Sequence, residues 1–119
     1  MEKIFEGEYR LLNILWENEP VASPRLVQLC NEQLGWKKST TYTVIKKLIN
    51  KGMVRSENTI VSALVTKEEV DRQEGEELLQ RTCKGNVPAF FATFLKDRKL
   101  SKEDVERIRR IIDGMEDEI

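Results

Sequence analysis

The chain of 119 residues contains no histidine, and this absence removes several kinds of chemistry at once. Without an imidazole there is no His-based catalytic triad, no His-ligated metal and no imidazole pH switch. The two cysteines, Cys30 and Cys83, form no CxxC pair and cannot supply a zinc site by themselves. We expect both to be reduced thiols that act as small apolar side chains. The sequence therefore predicts no metal site and no cofactor.

Proline, glycine and long apolar runs are also scarce. With 3 Pro, 6 Gly, 39% hydrophobic and 34% charged residues, the composition suits a helical protein with a modest core rather than a disordered chain. No run approaches the roughly 18 apolar residues of a transmembrane helix, and the N-terminus lacks a signal-peptide pattern. We expect a cytoplasmic protein that is not inserted in a membrane. No Gly-rich phosphate loop or paired-carboxylate motif stands out, so we expect no enzyme.

The net charge of −1 conceals an uneven distribution of charge. Residues 25–56 contain seven basic side chains and one acidic side chain, a local balance of +6. A basic patch on a nearly neutral chain indicates an anion-binding face.

The apolar spacing predicts three helices and a hairpin in the first part of the chain. The first helix covers about residues 6–17, the second follows Ser23-Pro24, and the third follows an N-cap at Ser39 and ends at Gly52. Residues 21–22 are expected to be an extended link. Residues 53–55 and 60–65 are expected to be two strands joined by a polar turn over residues 56–59.

The remaining sequence predicts three more helices. Thr66 begins a capping box, Asn86-Val87-Pro88 opens a second helix, and Ser101 caps a third. Apolar stripes on these short helices exceed what one copy of them could bury, so we expect a second copy of the chain to cover them. The alternative, in which they fold back onto the first part of the same chain, stays open. The expected dimer contacts are Phe90, Phe91, Phe94, Val105, Ile108, Ile111 and Ile112.

This order of elements is that of a winged helix-turn-helix, mainly α with a small β-hairpin. We predict a DNA-binding domain over residues 1–66 and a helical dimerisation domain over residues 67–119. A helix-turn-helix inserts the second helix of the motif in the major groove of double-stranded DNA, and here that helix is the third one of the chain, which follows Ser39. Hydroxyls on it suit base edges, and lysines neutralise phosphates. The expected DNA contacts are Ser39, Thr40, Tyr42, Thr43, Lys46, Lys47 and Arg55.

Two other interpretations compete with DNA binding. The threonines could be ordinary residues of a helix start and the lysines a solvated helix face. In that case the winged helix would serve as a protein–protein interaction module. Salt-dependent binding to duplex DNA separates these hypotheses.

Three segments resemble the penicillinase-repressor (BlaI/MecI) family of transcriptional repressors. They are residues 8–16 (EYRLLNILW), 40–52 (TTYTVIKKLINKG) and 63–69 (ALVTKEE), and the resemblance extends over nearly the whole chain. It implies a cytoplasmic homodimer that binds palindromic operators and is held together by its C-terminal helices. It also implies inactivation by proteolysis after a membrane sensor-protease detects a signal such as a β-lactam.

The sequence departs from the family pattern at two places. The predicted wing is the hairpin over residues 53–65. It lacks the additional basic and aromatic residues that are common in wings of this family, which leaves Arg55 as its main cation. Several family members are cleaved at an Asn-Phe bond in the helix before the last one. The nearest match is Thr93-Phe94, so this bond is the possible cleavage site and the sensed signal stays open. The C-terminal cysteine motif of copper-responsive relatives is absent from the chain.

Overall fold

The computed structural model describes residues 1–116 and confirms a mainly helical fold with a small antiparallel sheet. No helix within this range is both long and apolar enough to cross a membrane. The elements in chain order are α1 Glu6–Asn18, β1 Val21–Ala22, α2 Ser23–Leu34, α3 Lys38–Asn50, β2 Val54–Glu57, β3 Ile60–Ala63, α4 Lys67–Cys83, α5 Val87–Leu95 and α6 Lys102–Glu116.

The chain divides into two compact units, the first comprising Met1–Glu77 and the second beginning at Leu78. The core of the first unit is built around α1, whose Leu11, Leu12 and Leu15 are completely buried. Their i, i+1, i+4 spacing gives one continuous apolar face, against which α2, α3 and β3 pack. Replacing any one of these leucines with Ala is therefore expected to cost about 2–5 kcal/mol of stability.

The sheet has three strands in the order β1-β3-β2, and this corrects the prediction of a two-stranded hairpin. The expected extended link is strand β1, in which Val21 pairs with Val61 of β3. The wing turn is also shorter than predicted, because Ser56 and Glu57 belong to β2. Asn58 and Thr59 alone make the turn, both with positive φ, as a two-residue turn between twisted strands requires.

The first part of α4 belongs to the first unit and contacts α1 through polar side chains. Val70 is completely buried in the core. The Tyr9 hydroxyl donates to the Asp71 carboxylate and accepts a 2.7 Å hydrogen bond from the Lys67 ammonium, which also lies 3.1 Å from Asp71. This unit thus continues past residue 66, whereas the assignment of DNA binding and dimerisation to the two predicted domains stays a prediction.

Capping confirms the predicted starts of the last three helices. The Thr66 hydroxyl accepts from the Glu69 amide, the Asn86 side chain from the Ala89 amide, and the Ser101 hydroxyl from the Asp104 amide. In α5 and α6 every residue is exposed or half-buried. The predicted dimer residues Phe91, Phe94, Ile111 and Ile112 expose between 45% and 66% of their surface, and Phe90, Val105 and Ile108 are half-buried.

The contact between Tyr9 and Asp71 makes stability depend on pH. The Tyr9 hydrogen bond, assisted by Lys67, lowers the pKa of the Asp71 carboxyl below its ordinary value of about 3.9. The resulting stabilisation is complete above that ordinary value and disappears as the pH falls through the lowered pKa of the folded state. Tyr9→Phe should therefore lower Tm near neutral pH, and the difference from wild type should shrink below about pH 4.

Thermal melts of wild type, Tyr9→Phe and Asp71→Asn across this pH range test that prediction. Asp71→Asn should behave like Tyr9→Phe, because each variant removes the hydrogen bond between the Tyr9 hydroxyl and an ionised carboxylate. A Tm difference that stays constant from neutral to acid pH would contradict it.

Candidate nucleic-acid interface

The inner face of α3 is fixed in the core of the first unit. Thr41, Ile45 and Leu48, one helical turn apart, expose 5% of their surface or less. Burial raises the pKa of the Cys30 thiol of α2, with the neighbouring Thr41 hydroxyl acting in the opposite direction. Because Cys30 is buried and uncharged, it joins α2 to α3 as the small apolar residue that the sequence predicts.

The opposite face of α3 is open to solvent and carries hydroxyls and cations. The structure brings six of the seven predicted DNA-contact residues together on this one helix, and all six are exposed: Ser39, Thr40, Tyr42, Thr43, Lys46 and Lys47. The Lys38 ammonium lies 5.9 Å from the centre of the Tyr42 ring and adds a further positive charge beside it.

The predicted N-cap at Ser39 is wrong, since α3 begins at Lys38 and Lys37 occupies the cap position. Lys37 has the extended backbone of a cap, and its carbonyl accepts from the Thr41 amide at 3.2 Å. No side chain of the described residues caps this end of α3. The first backbone amides therefore stay free to meet an anion, and the helix dipole favours a phosphate there.

The Thr43 hydroxyl is already engaged within α3. It donates a 2.9 Å hydrogen bond to the Ser39 carbonyl, one turn earlier. This bond fixes the side-chain rotamer and uses the only proton of the hydroxyl. The γ-methyl group, and the oxygen as an acceptor, remain for contact with a base edge, and a methyl group is the natural partner of the thymine methyl.

The seventh predicted contact, Arg55, lies apart from the others on strand β2. Its guanidinium is exposed and forms an ion pair with Glu57 of the same strand. The tip of the wing, Asn58 and Thr59, carries no charge. The wing therefore offers less free positive charge than α3, which concentrates the electrostatic attraction for an anion on the helix.

Lys51 belongs to the basic patch of the sequence, but in the structure its ammonium is directed away from the exposed face of α3. Its ammonium is turned inward and forms a 2.6 Å ion pair with Glu8, whose side chain is only 4% exposed. Sequence reasoning missed Glu8 because the residue that precedes α1, Phe5, is not a recognisable capping residue. The Glu8 carboxylate nevertheless accepts from the Phe5 amide at 2.8 Å, as an acidic residue in a first helical turn can do.

Fold and candidate interface together define the class of protein. It is a winged helix-turn-helix in which the second helix of the motif, α3, has a solvent-exposed, positively charged outer face. Within that class the sequence profile of the penicillinase repressor family matches residues 4–114. The chain belongs to this family, and it is accordingly a transcriptional repressor.

Two relatives illustrate how far the sequences have diverged. The chain is 22% identical over 114 residues to the methicillin resistance regulatory protein MecI of Staphylococcus aureus, covering 92% of this chain and 93% of MecI. It is 23% identical over 114 residues to an uncharacterized 16.5 kDa protein encoded in the ptsI 3' region of Latilactobacillus sakei, covering 92% of this chain and 78% of that protein.

Thr43 should determine sequence preference. We expect Thr43→Ala to cost about 1–3 kcal/mol of binding free energy at the preferred site and little on random DNA. Because the hydroxyl proton is held by Ser39, Thr43→Ser should lose nearly as much as Thr43→Ala, and Thr43→Val should lose less. Fluorescence anisotropy titrations with a duplex that contains the preferred site and with a random-sequence duplex measure these losses of binding free energy. Equal losses on the two duplexes would show that Thr43 contacts only the phosphate backbone.

Lys46 and Lys47 should determine affinity. Changing either residue to Ala should weaken binding to every sequence and reduce the slope of log K against log salt concentration by about one for each phosphate that is no longer neutralised. Lys96→Ala, an exposed lysine on the other unit, is the matched control and should leave the slope unchanged. An unaltered slope for both α3 variants would refute their role.

Proposed function

We propose that this repressor is a homodimer that binds palindromic double-stranded operator DNA, with one α3 in each half-site. The observation that carries the proposal is the division of α3 into a buried inner face and an outer face of hydroxyls and lysines. A helix held in this way presents a defined set of side chains to the major groove. The wing strand with Arg55 would lie against the flanking backbone.

The dimer is proposed from the second unit. The apolar side chains of α5 and α6 stay largely exposed in a single chain, and Phe90 stacks on Phe94 with ring centroids 5.8 Å apart. Burying one large apolar side chain contributes about 1.5–3 kcal/mol before entropy is counted, so a second copy gains by covering this surface. A two-fold dimer also matches the symmetry of a palindromic site.

Derepression would follow from the loss of this dimer. Linking two half-site contacts makes the second one intramolecular, which raises apparent affinity by roughly 10² to 10⁴. Cleavage at Thr93-Phe94, two exposed residues of α5, would detach α6 and with it Val105, Ile108, Ile111 and Ile112. The partner that cleaves would be a sensor-protease in the membrane, and the repressor itself would need no inducer pocket.

Ile112→Glu in the full chain tests the proposal. Ile112 is 53% exposed, so a charge there should leave the isolated chain folded but oppose burial in a dimer interface. We expect this variant to sediment as a monomer and to bind the preferred palindromic duplex at least about tenfold more weakly, while it keeps its weak affinity for a single half-site. The preferred duplex is obtained by selection from a random library with the wild-type protein.

Arg110→Glu is the matched control, because this exposed residue lies two positions earlier and thus on the opposite side of α6. It should sediment and bind like wild type. A wild-type protein that binds no duplex, or binds with no dependence on salt, would favour the protein–protein interaction module instead. An Ile112→Glu protein that stays dimeric would refute the assigned interface.

A further inference from the structure

An ion pair between the half-buried Lys51 and the buried Glu8 joins the C-terminal end of α3 to the N-terminal turn of α1. One carboxylate oxygen of Glu8, Oε1, accepts from the Lys51 ammonium at 2.6 Å and from the Phe5 amide at 2.8 Å. The same ammonium donates to the Lys3 carbonyl at 2.8 Å and lies 4.7 Å from the centre of the Phe5 ring. Three groups near the start of α1 therefore hold the residue that immediately follows α3.

This arrangement is poorly suited to stabilise the fold. Burying two charges costs solvation energy that their attraction often only offsets, and a well-packed apolar pair is frequently as stable. The second carboxylate oxygen of Glu8, Oε2, is buried and accepts no hydrogen bond from the described residues. An unsatisfied buried oxygen carries an additional cost. Such a pair can contribute through geometry instead, and fixing register is the best-attested role of this kind for buried polar groups.

Discrimination between DNA sequences depends on the exact position and rotation of α3. A side chain reads a base edge only when it is held to within about 0.5 Å of the productive position. Contacts with the phosphate backbone are governed by charge and are more tolerant of a small displacement. Thr41, Ile45 and Leu48 pack in the core and determine which face of α3 is exposed. The bond between Glu8 and Lys51 adds a directional constraint at the end of the helix, where it opposes small rotations about the helix axis.

We propose that Glu8 and Lys51 are positioning residues of the DNA interface, which fix the rotation of α3 relative to α1 and thereby set discrimination between operator and random DNA. Neither side chain is proposed to touch DNA, since Glu8 is buried and the Lys51 ammonium is directed toward it. The inference rests on the proposed function, and it adds two residues to the interface that lie outside its DNA-facing surface.

The test compares Glu8→Gln, Lys51→Met and the double variant in the full-length protein. The glutamine keeps an oxygen for the Phe5 amide, and the methionine keeps the apolar stem of the lysine. Each is titrated with the selected palindromic duplex and with a scrambled duplex of the same composition, over a range of salt concentrations. Glu6→Gln is the control, because it breaks an exposed ion pair with Arg10 on the same helix that does not reach α3.

Each single variant should lower the ratio of operator to scrambled-duplex affinity by about tenfold, as removal of one specific hydrogen bond to a base edge would do. The double variant should lose no more than either single variant, because all three remove one interaction. The salt slope should stay at the wild-type value, and Glu6→Gln should change nothing. If Glu8→Gln does not fold, Lys51→Met and Lys51→Arg are compared instead, and the arginine is expected to restore most of the ratio.

Two results would overturn the inference while leaving the proposed function intact. If Lys51→Met reduces the salt slope by about one and Glu8→Gln preserves the ratio, Lys51 contacts phosphate directly. If the variants lower only Tm and keep the ratio, the ion pair is purely structural. A wild-type protein with no preference between the two duplexes would instead refute the proposed function itself.

Discussion

Burial of one face of α3 against α1 and α2 is the constraint on which the other features of the first unit depend. The buried side chains Thr41, Ile45 and Leu48 recur at helical spacing, so the same backbone must direct Thr40, Thr43 and Lys47 to solvent. Apolar packing thus determines which hydroxyls and cations can meet a ligand. Strand β1 contributes by pairing with β3 and bringing the start of α2 to the wing, where the Ser23 amide donates to the Thr59 carbonyl at 2.8 Å.

The two units differ in how far their apolar side chains are buried. The first unit buries its large side chains around α1, as an independent small domain does. In α5 and α6 the same residue types stay at the surface, with Ile111 and Met115 more than 60% exposed. Exposed apolar patches of this kind mark interaction sites. Under the function that we propose, the first unit reads DNA and the apolar extension joins two copies, so a change in the extension alone can regulate the repressor. This is the physical basis for proposing control by proteolysis.

Much of this architecture was predictable because it follows from local signals. Helix periodicity, the caps at Thr66, Asn86 and Ser101, and the hairpin turn all depend on residues close together in the chain. The errors arose where distant residues decide the outcome. The pairing of β1 with β3 joins residues 21 and 61, which no local pattern reveals. The start of α3 differs by two residues for a local reason, because the Lys37 backbone serves as a cap without a side-chain acceptor.

The site was predictable to a similar extent. The outer face of α3 follows from its own period, which correctly assigns the hydroxyls and lysines to one face. The ion pair of Lys51 was not predictable from the sequence, because its partner Glu8 lies 43 positions away and looks like an ordinary acidic residue of a first helical turn. A count of charges along the sequence treats every lysine as exposed to solvent, whereas in the folded chain Lys51 is half-buried and paired with Glu8.

The central claim is that α3 is the surface that meets DNA. Backbone amide chemical shifts of the full-length, isotope-labelled protein, recorded during titration with the selected palindromic duplex, test it most directly. The account predicts the largest changes at Lys38–Lys47, smaller ones at Arg55, and little change in the buried residues of α1. Changes confined to α5 and α6, or no change at α3 when the duplex is saturating, would contradict it.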